Sequence, residues 1–224
     1  MPYSLRGQPD FEGARQHALM LLEHKLPPTL FYHSLAHTRD DVAPAAERLA
    51  ASECVIGEAL LLLRTAAYFH DVGFVVQRLN HEAIGAQMAA HVLPRFGYGQ
   101  AHIQIITDLI MITKLPQMPH TRLERIIADA DLDVLGREDF LVRNQALRDE
   151  LAASGVSTAD EAWYSSQLQF LQTHHYFTAS ARSTRDAQKQ ENIAALTRLL
   201  TWARVQQHRG HPAVASLPAD GWLA

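Results

Sequence analysis

Ala59-Leu60-Leu61-Leu62-Leu63-Arg64-Thr65-Ala66-Ala67-Tyr68-Phe69-His70-Asp71 is the stretch on which the reading of the chain turns. Ala59, Leu63, Ala66 and His70 recur at helical spacing, so a helix over about residues 57–72 places them on one buried face. Gly73 is then the expected stop. A histidine at the end of such a stripe sits in the core. An aspartate beside it is costly to bury unless another charge compensates it, and a divalent cation would do so.

Two other stretches offer ligands to the same point. In Tyr32-His33-Ser34-Leu35-Ala36-His37 the histidines are four residues apart, so on a helix both face one way. In Asp129-Ala130-Asp131-Leu132, Asp131 shares a stripe with Ile127, Ala130, Val134 and Leu135, whereas Asp129 and Asp133 fall on another. The expectation is that only Asp131 is carried inward and that Asp129 and Asp133 are solvated or stand behind the ligands.

His37, His70-Asp71 and Asp131, in that order on separate helices, resemble the H…HD…D pattern of the HD-domain superfamily of metal-dependent phosphohydrolases. Tyr32 to Thr38, with Val42 following, also resembles the YHNxxHA-x-x-V stretch of cyclic-nucleotide phosphodiesterases. Together the likeness covers roughly residues 30 to 140. It implies an all-α helical bundle and a metal held by His37, His70, Asp71 and Asp131. It also implies that His33 protonates the leaving group, with Asp71 indispensable to catalysis. Such a mixed nitrogen and oxygen shell, with positions left for water, suits Mn²⁺, Fe²⁺, Zn²⁺ or Mg²⁺.

His81-Glu82-Ala83-Ile84-Gly85-Ala86 resembles the HPEIGA-like segment of the HD-GYP branch, whose histidine holds a second metal. That branch has an adjacent histidine pair one helix later, where this sequence has Ile112-Thr113-Lys114. The expectation is therefore one bound ion, with His81 or Glu82 near the water or the substrate phosphate. Lys114 follows the helix that would face the site and is the expected point charge for a phosphoryl group. Gln169 to Thr178, including His174, His175 and Tyr176 and followed by Arg182, Arg185 and Lys189, joins aromatics to cations. His175 is thereby a candidate substrate contact at the mouth of the pocket.

The 224 residues carry a net charge of −4, which gives no broad basic field for long nucleic acids. A single cysteine, Cys54, excludes an internal disulfide framework. No apolar run has transmembrane length and the first residues lack the apolar core of a signal peptide, so the expected compartment is the cytoplasm. Homodimerisation is left open by the pattern.

Helices are expected over residues 11–25, 30–51 with a bend or a split at Pro44, 57–72, 81–93, 101–113, 123–135, 137–153 and 158–208. Asn80 and a Thr121-x-x-Glu124 box are candidate caps. These describe one HD-type domain: a core over about 30–140, additional C-terminal helices over 141–208, and an irregular tail over 209–224. The function expected is hydrolysis of a small phosphate ester, a nucleotide above others, by metal-activated water. Two alternatives stand beside it: a metal- and nucleotide-binding sensor without turnover, and an HD-like iron oxygenase.

Overall fold

The computed structural model describes residues 8–208, and among them every regular element is helical, as expected. The expected irregular tail from residue 209, with Trp222, lies outside the described residues. The chain forms two compact units. One takes the described residues up to Pro28 and then His33–Asp131; the other takes Thr29–Tyr32 and the described residues from Leu132 onward.

In the first unit, α1 (Phe11–Lys25) starts at Asp10, whose carboxylate accepts the Gly13 N–H at 2.9 Å, and it buries Ala14, Ala18 and Leu22. The helix expected over residues 30–51 is not continuous. Phe31–Ser34 are bends, the helix begins at Leu35, His37–Val42 form a π-helical turn, and α2 (Ala43–Ser52) follows. Pro44 explains the transition. It has no N–H to donate into an α-helical ladder, and the widened turn lets the Ala43 N–H reach Thr38 O instead.

α3 (Gly57–Phe69) buries Leu63 and Ala66 as the stripe predicts. It ends three residues earlier than expected, so His70 and Asp71 stand in the turn that leads into a short 3₁₀ segment, Val72–Val75. Gly73 acts by letting that turn approach another helix. A Cβ there would lie 1.9 Å from the His81 carbonyl oxygen, at the start of α4 (His81–Val92). Asn80 precedes α4 in the left-handed region, φ 57°, but its side chain does not cap the helix. A 3₁₀ turn, Leu93–Phe96, leads to α5 (Gln100–Met111), which buries Ile106, Leu109 and Ile110.

α6 (Arg122–Asp131) opens with the expected capping box. Thr121 N–H donates to Glu124 Oε2 at 3.0 Å and Glu124 N–H to Thr121 Oγ1 at 3.3 Å. It closes at Asp131, so the ligand candidate is the last helical residue.

The second unit begins with a 3₁₀ turn, Asp133–Gly136, followed by α7 (Phe140–Ala153), α8 (Asp160–Thr173) and α9 (Ala179–His208). The helix expected over 158–208 is thus broken at 174–178. Thr178 Oγ1 accepts the Ala181 N–H at 3.1 Å and gives α9 its own start. Gly136 lets the 3₁₀ turn lie against α9, since a Cβ there would be 2.5 Å from Arg185 O. Leu171, Leu196 and Leu200 are core residues as expected, but Trp202 is half exposed. The buried indole is Trp163, whose N–H donates to Asn144 Oδ1 at 3.0 Å, while the Asn144 amide donates to Gln167.

Candidate metal centre

Four side chains from three parts of the first unit converge. His37 comes from the π-helical turn, His70 and Asp71 from the end of α3, and Asp131 from the end of α6. One ligand atom each of His37, His70 and Asp131 lies within 4.8 Å of the others. His70 Nε2 stands 3.2 Å from Asp71 Oδ2 and 3.5 Å from Asp131 Oδ1. His37 Nε2 is 3.8 Å from Asp71 Oδ2 and 3.6 Å from Asp131 Oδ1.

The donor set fits a divalent cation. His70 Nδ1 is 2.8 Å from the Ala67 carbonyl, and an N–H donated there leaves the lone pair on Nε2, the nitrogen that faces the carboxylates. His70 Nε2 and Asp71 Oδ2 are buried and neither makes a hydrogen bond. Buried polar atoms without such bonds are costly, and a shared cation between them removes the cost. Asp41 Oδ2 lies 3.7 Å behind His37 Nδ1 and orients that ring from the other side.

The electrostatics agree. Burial lowers the pKa of His37, but Asp131, Asp41 and Asp71 outweigh it and raise it to about 9. At His70 and His81 burial also opposes the charged form, and the Asp71 carboxylate prevails and raises both. Burial pushes Asp71 up, yet His70, His81 and His33 hold it well below the usual carboxylate range. Cation and anion are thus both favoured here, which is the field a divalent metal would occupy.

The other expected residues divide. His81 Nε2 faces Asp71 Oδ1 at 3.5 Å and Glu82 Oε1 at 3.6 Å, with Nδ1 turned to the Arg78 carbonyl at 3.0 Å. His33 has its ring centroid 6.0 Å from that of His37 and 6.2 Å from that of His81. Lys114 Nζ donates to Asn80 Oδ1 at 3.0 Å, one residue before His81. Thr113 Oγ1, in the turn after α5, donates to Ile110 O at 2.8 Å.

His175 belongs to the second unit, where it is exposed and its Nδ1 is 2.9 Å from Thr173 O. The cations that follow it are committed within that unit. Arg182 donates to Tyr176 O and Phe177 O, Arg185 to Asp133, and Lys189 to His174 O.

One expectation is overturned. Asp129 and Asp133 are more buried than Asp131, at 0% and 3% exposure against a half-buried Asp131. The stripe argument assumed an unbroken helix to Leu135, and the helix stops at Asp131. Asp133 then enters a new turn and meets Arg185 Nε and Nη2, each at 2.8 Å.

Three contributors escaped the sequence reading. Phe74 stacks against both His33 and His81, with centroid separations of 4.3 and 3.9 Å, and so restrains both rings. Gln117 Nε2 donates to Asp131 Oδ2 at 3.4 Å from the loop after α5. Asp41 is the third. Its spacing of four from His37 was visible; the contacts of Phe74 and Gln117 had no local signal.

A helical fold that brings buried His37, His70 and Asp71 beside a half-buried Asp131 holds a candidate site for a divalent metal. Residues 31–133 match the family model described as the HD domain, consistent with the HD-domain superfamily. HD domains are generally metal-dependent phosphohydrolases. No curated protein and no solved structure matches the chain. Among the described residues no helix is long and apolar enough to cross a membrane.

Proposed function

We propose that the chain is a metal-dependent phosphohydrolase of small phosphate esters, with nucleotides the first class to examine. The observation that carries this is the convergence of His37, His70, Asp71 and Asp131, with His70 Nε2 and Asp71 Oδ2 buried and making no hydrogen bond of their own. Those four residues would hold one divalent cation. Such a cation polarises a phosphoryl oxygen and makes water acidic enough to supply a nucleophile near neutral pH.

The remaining work falls to the chain's own groups. Asp71 presents Oδ2 to the two ligand histidines and Oδ1 to His81, so it fixes both sides of the centre. His33, held against Phe74, is the proton donor for the leaving oxygen. His81 and Lys114, joined through Asn80 at the start of α4, orient the substrate phosphate. Thr113 stands where a further histidine ligand would be expected and brings no imidazole, which favours hydrolysis over the iron-oxygenase alternative.

The test uses protein stripped of metal and reloaded with Mn²⁺, Fe²⁺, Zn²⁺ or Mg²⁺, assayed on an aryl phosphate, a bis-aryl phosphate and a nucleotide panel beside Asp71→Ala. Metal-dependent release that disappears in the variant is expected. Stoichiometric metal binding with no turnover on any ester would overturn the hydrolase reading in favour of a sensor. His33→Gln should slow esters with poor leaving groups by roughly 10²–10⁴-fold while sparing aryl esters, whose leaving oxygen needs no proton.

A further inference from the structure

A second concave site lies away from the metal cluster, between α1 and the far part of α4. It is a groove of about 440 Å³, within the usual size of small-molecule sites. Its apolar lining is Leu21 from α1 with Ile84, Met88 and Val92, which fall four residues apart along α4. His17, His91 and Arg95 line it too, and no aspartate or glutamate does.

These basic groups lack counter-ions. Among the described residues Arg95 makes no ion pair with a carboxylate, and its hydrogen bond is to His91 Nε2 at 3.4 Å. That contact uses the His91 lone pair and leaves the rest of the guanidinium fork for another acceptor. Burial and then the nearby Arg95 charge hold the His17 pKa below its ordinary value, a sign that positive potential is concentrated there. An exposed arginine is usually solvated, but one set at the rim of an apolar groove beside two imidazoles is placed to bind an anion that also has an apolar body.

We propose that the α1–α4 groove binds a small organic anion, its apolar body on Ile84, Met88 and Val92 and its acidic head on Arg95 and His91. The site shares α4 with the metal cluster, since His81 and Glu82 open that helix, but it shares no residue with it. The proposal is therefore independent of the hydrolase reading. Another surface groove, lined by Phe31, Leu141, Val142 and Asp149, carries an acidic group and no cation, and makes a control.

The probe is 8-anilinonaphthalene-1-sulfonate, titrated into the full chain by fluorescence and by calorimetry, against the uncharged N-phenyl-1-naphthylamine. One sulfonate dye per chain is expected, with the neutral dye bound about tenfold more weakly or worse. The pair Arg95→Gln, His91→Gln should raise the Kd of the sulfonate about tenfold, and Met88→Glu should abolish binding. Val142→Asp should leave it unchanged. Helical circular dichroism and melting temperature establish that each variant folds; Arg95 and His91 are exposed, so their replacement leaves the core intact. No saturable binding, equal binding of the neutral dye, or an unchanged Kd in the folded Arg95–His91 pair would each overturn the proposal.

Discussion

Asp71 in the first unit and Asp133 in the second are equally buried, their side chains 5% and 4% exposed, yet they are treated in opposite ways. Asp133 receives two guanidinium hydrogen bonds from Arg185, and Tyr176 OH donates to the Leu132 carbonyl beside it at 3.2 Å. Asn192 closes the same turn by donating to Leu135 O and Arg137 O, each at 2.9 Å. Asp71 Oδ2 has imidazole nitrogens around it at 3.2 and 3.8 Å and no hydrogen bond. A carboxylate with its acceptors filled stabilises a fold. One whose neighbours stand back is kept for something that binds.

The sharpest way to break this contrast is Asp71→Ala. Metal content measured on purified protein should fall, and metal-dependent hydrolysis should vanish. The loss in affinity should exceed the roughly 10–100-fold typical of removing a group that merely orients a ligand. Because the variant also removes a carboxylate that makes no hydrogen bond through Oδ2, stability of the metal-free protein should change little beside its loss of metal.

Asp133→Asn should show the converse. It leaves Arg185 facing a neutral amide and should cost about 3 kcal/mol in urea unfolding, toward the lower figure for a broken buried pair because Arg185 keeps some solvent. If Asp133→Asn costs nothing while Asp71→Ala unfolds the protein, the assignment of roles is reversed.

Gly73→Ala comes next. A methyl group 1.9 Å from the His81 carbonyl must displace the start of α4, at about 1–3 kcal/mol of stability. His81 would shift with it, so kcat should fall even where the protein remains folded. Gln117→Ala is milder and should weaken metal binding by about 10–100-fold with little change in melting temperature, since it loses only the long contacts to Asp131 Oδ2 and Thr113 O.

His174 is an exception to the thorough bonding of the second unit, and it yields the smallest effect. Both ring nitrogens of His174 are buried without a hydrogen bond, and the ring meets Tyr176 edge-on at 4.7 Å. Burial, with Lys189 and His175 nearby, lowers its pKa to about 3. The folded state therefore keeps His174 neutral while the unfolded chain takes a proton below about pH 6.5. The stabilising contribution is complete above that pH and is lost as pH falls toward 3. His174→Leu should flatten the decline of melting temperature over that acid range and leave the neutral value nearly unchanged.

Much of the first unit could be read from spacing. The stripe ending in His70 and the Thr121–Glu124 box are local patterns that survive translation into structure, and His33 stays near His37 although it lies in a bend and not on the helix. What could not be read was where helices stop. The end of α3 at Phe69 and of α6 at Asp131 depend on a glycine touching a carbonyl and on a turn held by α9, both long-range facts. The misjudged burial of Asp133 follows from that, because periodicity assigns faces only while a helix continues; Asp129 lies within α6, and its burial is set by packing rather than by the helix end. In the second unit the aromatic and cationic residues around 169–189 looked like a binding surface. Composition does not reveal that Arg182, Arg185 and Lys189 bond back to their own backbone and to Asp133.

The π-helical turn at His37–Val42 holds one residue more than an α-helical turn would. Deleting Asp40, an exposed position, should convert it to an α-helical turn, with the residues upstream rotated relative to those downstream. Ala43 to Ser52 would keep their packing, and His37 would swing about 100° around the helix axis relative to them, out of reach of His70. A single residue removed from that stretch should therefore leave the packing of α2 in place while taking His37 away from the ligand cluster.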